Sequence, residues 1–178
     1  MAKLGIIIAP DMRLKSPCAP VEKVDAGVAK LMADMLETMY DAPGIGLAAP
    51  QVGVAKRIIV VDPAMDENPP CPIKMANPEI VWASEEKKLH EEGCLSLPLE
   101  YNDVERPDKI RVRYLDENNK QQELEADGLL SVVIQHEVDH LEGVLFVDHI
   151  STLKRGIILR RLTKQKKLGR RYYDMEPA

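Results

Sequence analysis

Between Leu129 and Leu141 the chain carries Leu129, Leu130, Val132, Val133, Ile134, Val138 and Leu141, which, wound as a helix, surround its axis almost completely. A helix with no polar face belongs in the centre of a domain, so the rest of the chain has to form a shell around it. Asp127 is placed to cap its start and Gly143 to stop it. The same helix holds His136, Glu137, Asp139 and His140. Burying these without partners costs roughly a few kcal/mol each, so something must satisfy them.

His136 and His140 lie one helical turn apart and project together, with Glu137 adjoining. A lone buried histidine is ordinarily a hydrogen-bonded core residue, but H-E-x-x-H in a buried helix is a specific metal-binding pattern. Two imidazoles leave a third ligand to be found. A metzincin-like continuation would put histidine where this chain has Phe146. A thermolysin-like site would take a downstream glutamate, yet no acidic residue lies between His149 and Asp174. His149 remains downstream, in "FVDHI", read as a short strand where an exposed or capping role is equally open. Upstream, Cys94 in "EEGCLSLP" is the stronger reading, because Gly93 permits close backbone approach and Ser96 and Pro98 favour a turn. A thiolate ligand would also account for a free cysteine.

At 178 residues the chain suits one domain, residues 1–178, with a real core. Aromatic residues are only 4%, which leaves Leu, Ile, Val and Met to fill it. Cys18, Cys71 and Cys94 form neither a disulfide framework nor a CxxC pair. No apolar run approaches the roughly 18 residues of a membrane span, and the amino terminus lacks a signal-peptide pattern, so the expectation is a cytoplasmic protein without a membrane partner. The net charge of −5 conceals nine Lys or Arg and no Asp or Glu in residues 150–173, which leaves −14 on the remainder.

Asp25 is placed to cap an amphipathic helix, "AGVAKLMADMLETMYDA", whose Val28, Leu31, Met32, Met35, Leu36 and Met39 recur at three and four, and Pro43-Gly44 ends it. A glycine-containing loop, "GIGLAAPQVG", leads into the strand "KRIIVVD". "DENPPCP" reads as a loop and "IKMANPEIVWASEEKKLHEE" as strands. "KIRVRYLDENNKQQELEA" reads as a hairpin around Asn118-Asn119. Ser151 is placed to cap a third helix carrying the basic run, with Leu153, Ile157, Ile158 and Leu162 as an apolar stripe. Strands clustered between helices, without βαβ alternation, predict an α+β fold with antiparallel or mixed sheets around the central helix.

Three stretches together resemble the signature motifs of peptide deformylases: "GIGLAAPQ" at 44–51, "EGCLS" at 92–96 and "QHEVDHLEG" at 135–143, in that order and spacing. The opening "IIIAPDMRLKSPCAPV" and the last helix also look like that family. The resemblance implies removal of the formyl group from the initiator methionine of new chains. It implies Cys94, His136 and His140 as ligands of one divalent metal, a fourth position left to water, and Glu137 as the group that takes and returns a proton. The backbone N–H of Leu95 and the side-chain amide of Gln51 are implied oxyanion donors; read alone, Gln51 is a loop residue bonded to its own turn. Gly46 is implied to pair with the peptide as an added strand, and Ile45, Leu129, Val132 and Val133 to line a methionine pocket. His90 falls at the rim of that pocket, where some relatives have an aliphatic residue. Tyr101 stands where some relatives have an arginine, and Arg106 matches an arginine whose acidic partner is replaced here by Pro43.

On its residues alone the donor set reads as zinc; the resemblance implies Fe2+ as the physiological ion, with Zn2+, Ni2+ or Co2+ able to substitute. The basic helix, read with the family's ribosome association, implies contact with ribosomal RNA or protein near the exit tunnel. A monomer is expected. Two other functions fit the same residues: a metalloendopeptidase of the H-E-x-x-H type, and a non-enzymatic ribosome- or nascent-chain-binding module.

Overall fold

Ile58–Val61, strand β2, is apolar and buried at every position, as a strand covered on both faces must be. The computed structural model describes residues 3–64 and 69–169. Ile59 and Val61 pack in a cluster with Met75, Ile110, Val112 and with Val133, Ile134 and Leu141 of helix α2 (Gly128–Leu141). Ile58 and Val60 join a second cluster with Leu47 and with Met32, Met35 and Met39 of helix α1 (Ala26–Asp41). Methionine takes the place of the scarce aromatics on this side.

The sheet between these clusters has the order β1-β2-β3-β6-β7, where β1 is Gly46–Ala48, β3 Ile73–Ala83, β6 Lys109–Leu115 and β7 Gln121–Asp127. Strands β4 (Lys87–Cys94) and β5 (Leu97–Pro107) form a separate hairpin, and every pairing of named strands is antiparallel. A third cluster joins this hairpin, through Leu97 and Val104, to Leu14, Phe146 and Ile158 and Leu162 of helix α3 (Thr152–Lys167). The α+β class and the central helix are as expected. Ser131 through Glu137, His140 and Leu141 are buried, while Leu129 remains 36% exposed.

Several local expectations change. The glycine loop contains strand β1 and a single 3-10 turn, Ala49–Val52. Strand β5, hidden by Pro98 and Pro107, was not expected. "FVDHI" is not a strand: Phe146–His149 is a 3-10 turn, closed by Leu145 N–H donating to the Asp148 carboxylate. Asp25 and Ser151 accept capping bonds from Val28 and Lys154, whereas Asp127 holds the N-cap position without a side-chain bond. On α3 only Ile158 and Leu162 of the expected stripe are buried, with Leu153 and Ile157 exposed. Part of the Pro-rich loop and the end of the basic run, including Arg170 and Arg171, lie outside the described residues.

Gly143 ends α2 with φ +73°, and a Cβ there would lie 2.5 Å from the backbone oxygen of Lys15. Both the left-handed backbone and the packed main chain demand glycine. Gly143→Ala is therefore expected to lower unfolding free energy by about 2 kcal/mol or more, read from urea midpoints against the parent protein.

Candidate active site

Cys94 ends β4, where the register with β5 shifts and Cys94 comes opposite Leu97. This turn brings its sulfur to the two histidines of α2. The ligand atoms of Cys94, His136 and His140 all lie within 4.8 Å of one another, and Cys94 Sγ is 3.3 Å from His140 Nε2. Bonds of about 2.0 to 2.3 Å to a tetrahedral ion require ligand atoms at roughly this spacing. His136 Nδ1 is 2.8 Å from Glu92 Oε1, which leaves Nε2 for the site. Burial holds His140 well below the ordinary histidine range, as a neutral ring with a free lone pair. Burial opposes charge on His136 too, yet hydrogen bonds to Cys94 and Glu92 raise it well above its ordinary value. A sulfur and two imidazoles converging on one point suit a first-row divalent ion. The three residues thus fit a metal.

Glu92 is held by more than the histidine. Arg106, in β5, donates from Nε to Glu92 Oε2 at 2.5 Å and from Nη2 to Glu92 Oε1 at 2.9 Å. Its Nη1 reaches Asp139 Oδ2 at 2.9 Å. Burial works against a charged Glu92, but Arg106 and His136 lower its carboxyl to about 2. The partner that Pro43 could not provide for Arg106 is therefore this pair of acids. His149 is no ligand: its Nε2 bonds Asp139 Oδ2 at 2.8 Å. Phe146 lies stacked against His136, ring centroids 6.3 Å apart.

Glu137 is 4% exposed, and its Oε2 is buried without a hydrogen-bond partner among the described residues. Burial pushes its carboxyl up to about 7, against the pull of His136. A carboxylate poised near neutrality can accept and return a proton. A Cβ on Gly46 would come within 2.4 Å of Glu137 Oε1, so glycine in β1 is what lets this side chain occupy its place. Gln51 is bonded within its own turn and also reaches toward Cys94. Its Oε1 accepts from Ala48 N–H at 2.8 Å, within its own turn, and its Nε2 faces Ser96 Oγ at 3.1 Å and Cys94 Sγ at 3.5 Å.

A cavity of about 310 Å3 opens beside these groups, lined by Ile45, Gly46, Leu95, Leu129, Val132, Val133, His136 and Glu137 among others. His90 is not part of the lining. It sits further along β4, opposite Val104 in register, and its Nε2 is buried without a hydrogen-bond partner among the described residues. Glu91 and Tyr101 are part of the wall, with the Tyr101 ring resting where a Cβ on Gly93 would be. Ser96, Glu91 and the Glu92–Arg106–Asp139 brace were missed in the sequence; the signal for the brace was a glutamate and an arginine that alternate with the exposed Leu89 and Glu91 on β4 and Asp103 and Glu105 on β5.

The frame and donor set are those of a metallohydrolase. The model of the polypeptide deformylase family matches residues 3–156, and the chain belongs to that family. It is 57% identical over 166 residues to the peptide deformylase of Methylocella silvestris, covering 92% of this chain and 85% of the relative. The crystal structure of the Ehrlichia chaffeensis peptide deformylase in complex with actinonin superposes with a TM-score of 0.90 at 41% identity, covering 94% of this chain and 99% of that one. That of the Acinetobacter baumannii enzyme bound to Met-Ala-Ser gives 0.78 at 38% identity, covering 84% and 99%.

Gly46→Ala should push the Glu137 carboxylate out of position while leaving the fold intact. Turnover is expected to fall by about 100-fold, with a melting temperature within a few degrees of the parent's; unchanged turnover would show that Glu137 does not need this space.

Proposed function

We propose that this chain removes the N-formyl group from the initiator methionine of nascent polypeptides and releases formate. The observation that carries the reading is a buried Glu137 carboxyl, raised to about 7 and with Oε2 unpartnered among the described residues, set beside Cys94, His136 and His140 at the mouth of an apolar cavity. Cys94, His136 and His140 would hold a divalent cation, which when bound would supply Lewis acidity toward the formyl carbonyl and toward water. Fe2+ is the proposed physiological ion, with Zn2+, Ni2+ or Co2+ able to replace it.

Strand β1 is the edge of its sheet, so the main chain around Gly46 is free to pair with an extended peptide. The methionine side chain then enters the cavity against Ile45, Leu129, Val132 and Val133. Glu137 takes the proton of the attacking water and returns it to the leaving amine. The Leu95 N–H and the Gln51 Nε2 group stabilise the oxyanion, where one well-placed donor contributes about 3 kcal/mol. Ser96 holds the Gln51 amide in that direction.

The test is formate release from formyl-Met-Ala-Ser by protein prepared anaerobically with Fe2+, beside Glu137→Ala and an unformylated peptide. Rapid release by the parent, a loss of about a thousandfold or more in the variant, and an uncut unformylated peptide are expected. Cleavage of the unformylated peptide would move the metalloendopeptidase reading to the front.

We further propose that the protein works as a cytoplasmic monomer and that α3 contacts the ribosome. Lys154, Arg160, Lys164, Lys166 and Lys167 carry its charge with no acidic residue among residues 150–173, although Arg155 pairs with Asp148, Arg161 with Glu100, and Lys166 lies close enough to Asp11 to lower its carboxyl. Such a helix suits a phosphate backbone. Removing residues 164–178 should abolish low-salt cosedimentation with ribosomes; unchanged cosedimentation would overturn this contact.

A further inference from the structure

His149 is left over from the site. It is not a ligand, yet it does not simply face water: its Nε2 bonds Asp139 Oδ2, the same oxygen that accepts from Arg106 Nη1. We infer that His149 is a positioning residue for His136, acting through Asp139, Arg106 and Glu92. The inference rests on the metal-site reading above.

The links are continuous. Side-chain exposure falls from 36% at His149 and 25% at Asp139 to 5% at Arg106 and 3% at Glu92, so the path runs from the surface to the buried end of the imidazole. Asp139 is the weak link, because a quarter-exposed carboxylate can swing out to water. His149 opposes that swing by donating a hydrogen bond that holds Oδ2 toward the guanidinium. Its own backbone is fixed in the 3-10 turn, where Asp148 accepts from Leu145 N–H and Arg155 Nε and pairs with Lys15. With Asp139 fixed, Arg106 is anchored on both sides and keeps both Glu92 oxygens engaged, one of them on His136 Nδ1. Groups that orient a ligating imidazole control how firmly it holds its ion.

The experiment uses the full chain loaded with Co2+, whose visible spectrum reports ligand geometry, and follows Co2+ loss to excess chelator. His149→Phe keeps the ring and removes the donor; His149→Gln keeps a donor. Co2+ loss from His149→Phe is expected to be about three- to tenfold faster, below the roughly 10- to 100-fold typical of a group touching the ligand itself, with a shifted spectrum. His149→Gln should stay within about twofold of the parent. A parent-like His149→Phe overturns the inference, as does equal acceleration in both variants, because the donated bond would then not be the cause. Failure of the parent to take up Co2+ would instead overturn the metal-site reading beneath it.

Discussion

Glu92 is the group on which the site depends. A carboxylate at 3% side-chain exposure is tolerable only because Arg106 meets both of its oxygens and His136 shares one of them. Such a buried pair is poor evidence of added stability, since desolvation consumes most of the attraction. Removing one partner, however, typically costs about 3 to 5 kcal/mol by stranding the other. Its role is therefore geometric. It ties the hairpin β4–β5, which brings Cys94, to helix α2, which brings both histidines.

Glu137 shows the opposite choice. Among the described residues its Oε2 has no hydrogen-bond partner, and burial raises its carboxyl to about 7 despite the pull of His136 and Arg106. The fold accepts that cost at one residue and satisfies Glu92, through Arg106 and His136, almost completely. Two glutamates thus differ in protonation behaviour through their surroundings alone: one is locked as an anion, the other is left able to exchange a proton. Gly46 and Gly93 extend the same economy of space, giving up side chains so that Glu137 and the Tyr101 ring can occupy the cavity wall.

The central helix, the flanking strands and the H-E-x-x-H group were legible because each is local: apolar residues all round an axis, β-branched runs, and two histidines a turn apart. Caps at Asp25 and Ser151 and the stop at Gly143 were legible for the same reason. Strand β5 was not, because its prolines and alternating charges disguise a hairpin strand whose pairing with β4 is set by tertiary packing. "FVDHI" was misread because β-branched content outweighed a turn that Asp148 closes with its side chain. His90 fell outside the cavity because a strand turns each side chain by register, which a motif match does not fix.

Arg106 was recognised but its partners were not, and the reason is instructive. Glu92 lies 14 residues away and Asp139 lies 33 residues away, on different elements, so only the assembled fold brings them to one guanidinium. The three metal-fitting residues are likewise divided, one on a strand end and two on a helix, and neither element alone fixes their separation. A brace between hairpin and helix is what such a divided set requires. Arg106 is that brace, because its planar fork engages Glu92 on one side while its remaining nitrogen reaches Asp139 on the other. A lysine would offer a point charge to one acid at a time and could not hold both elements in register.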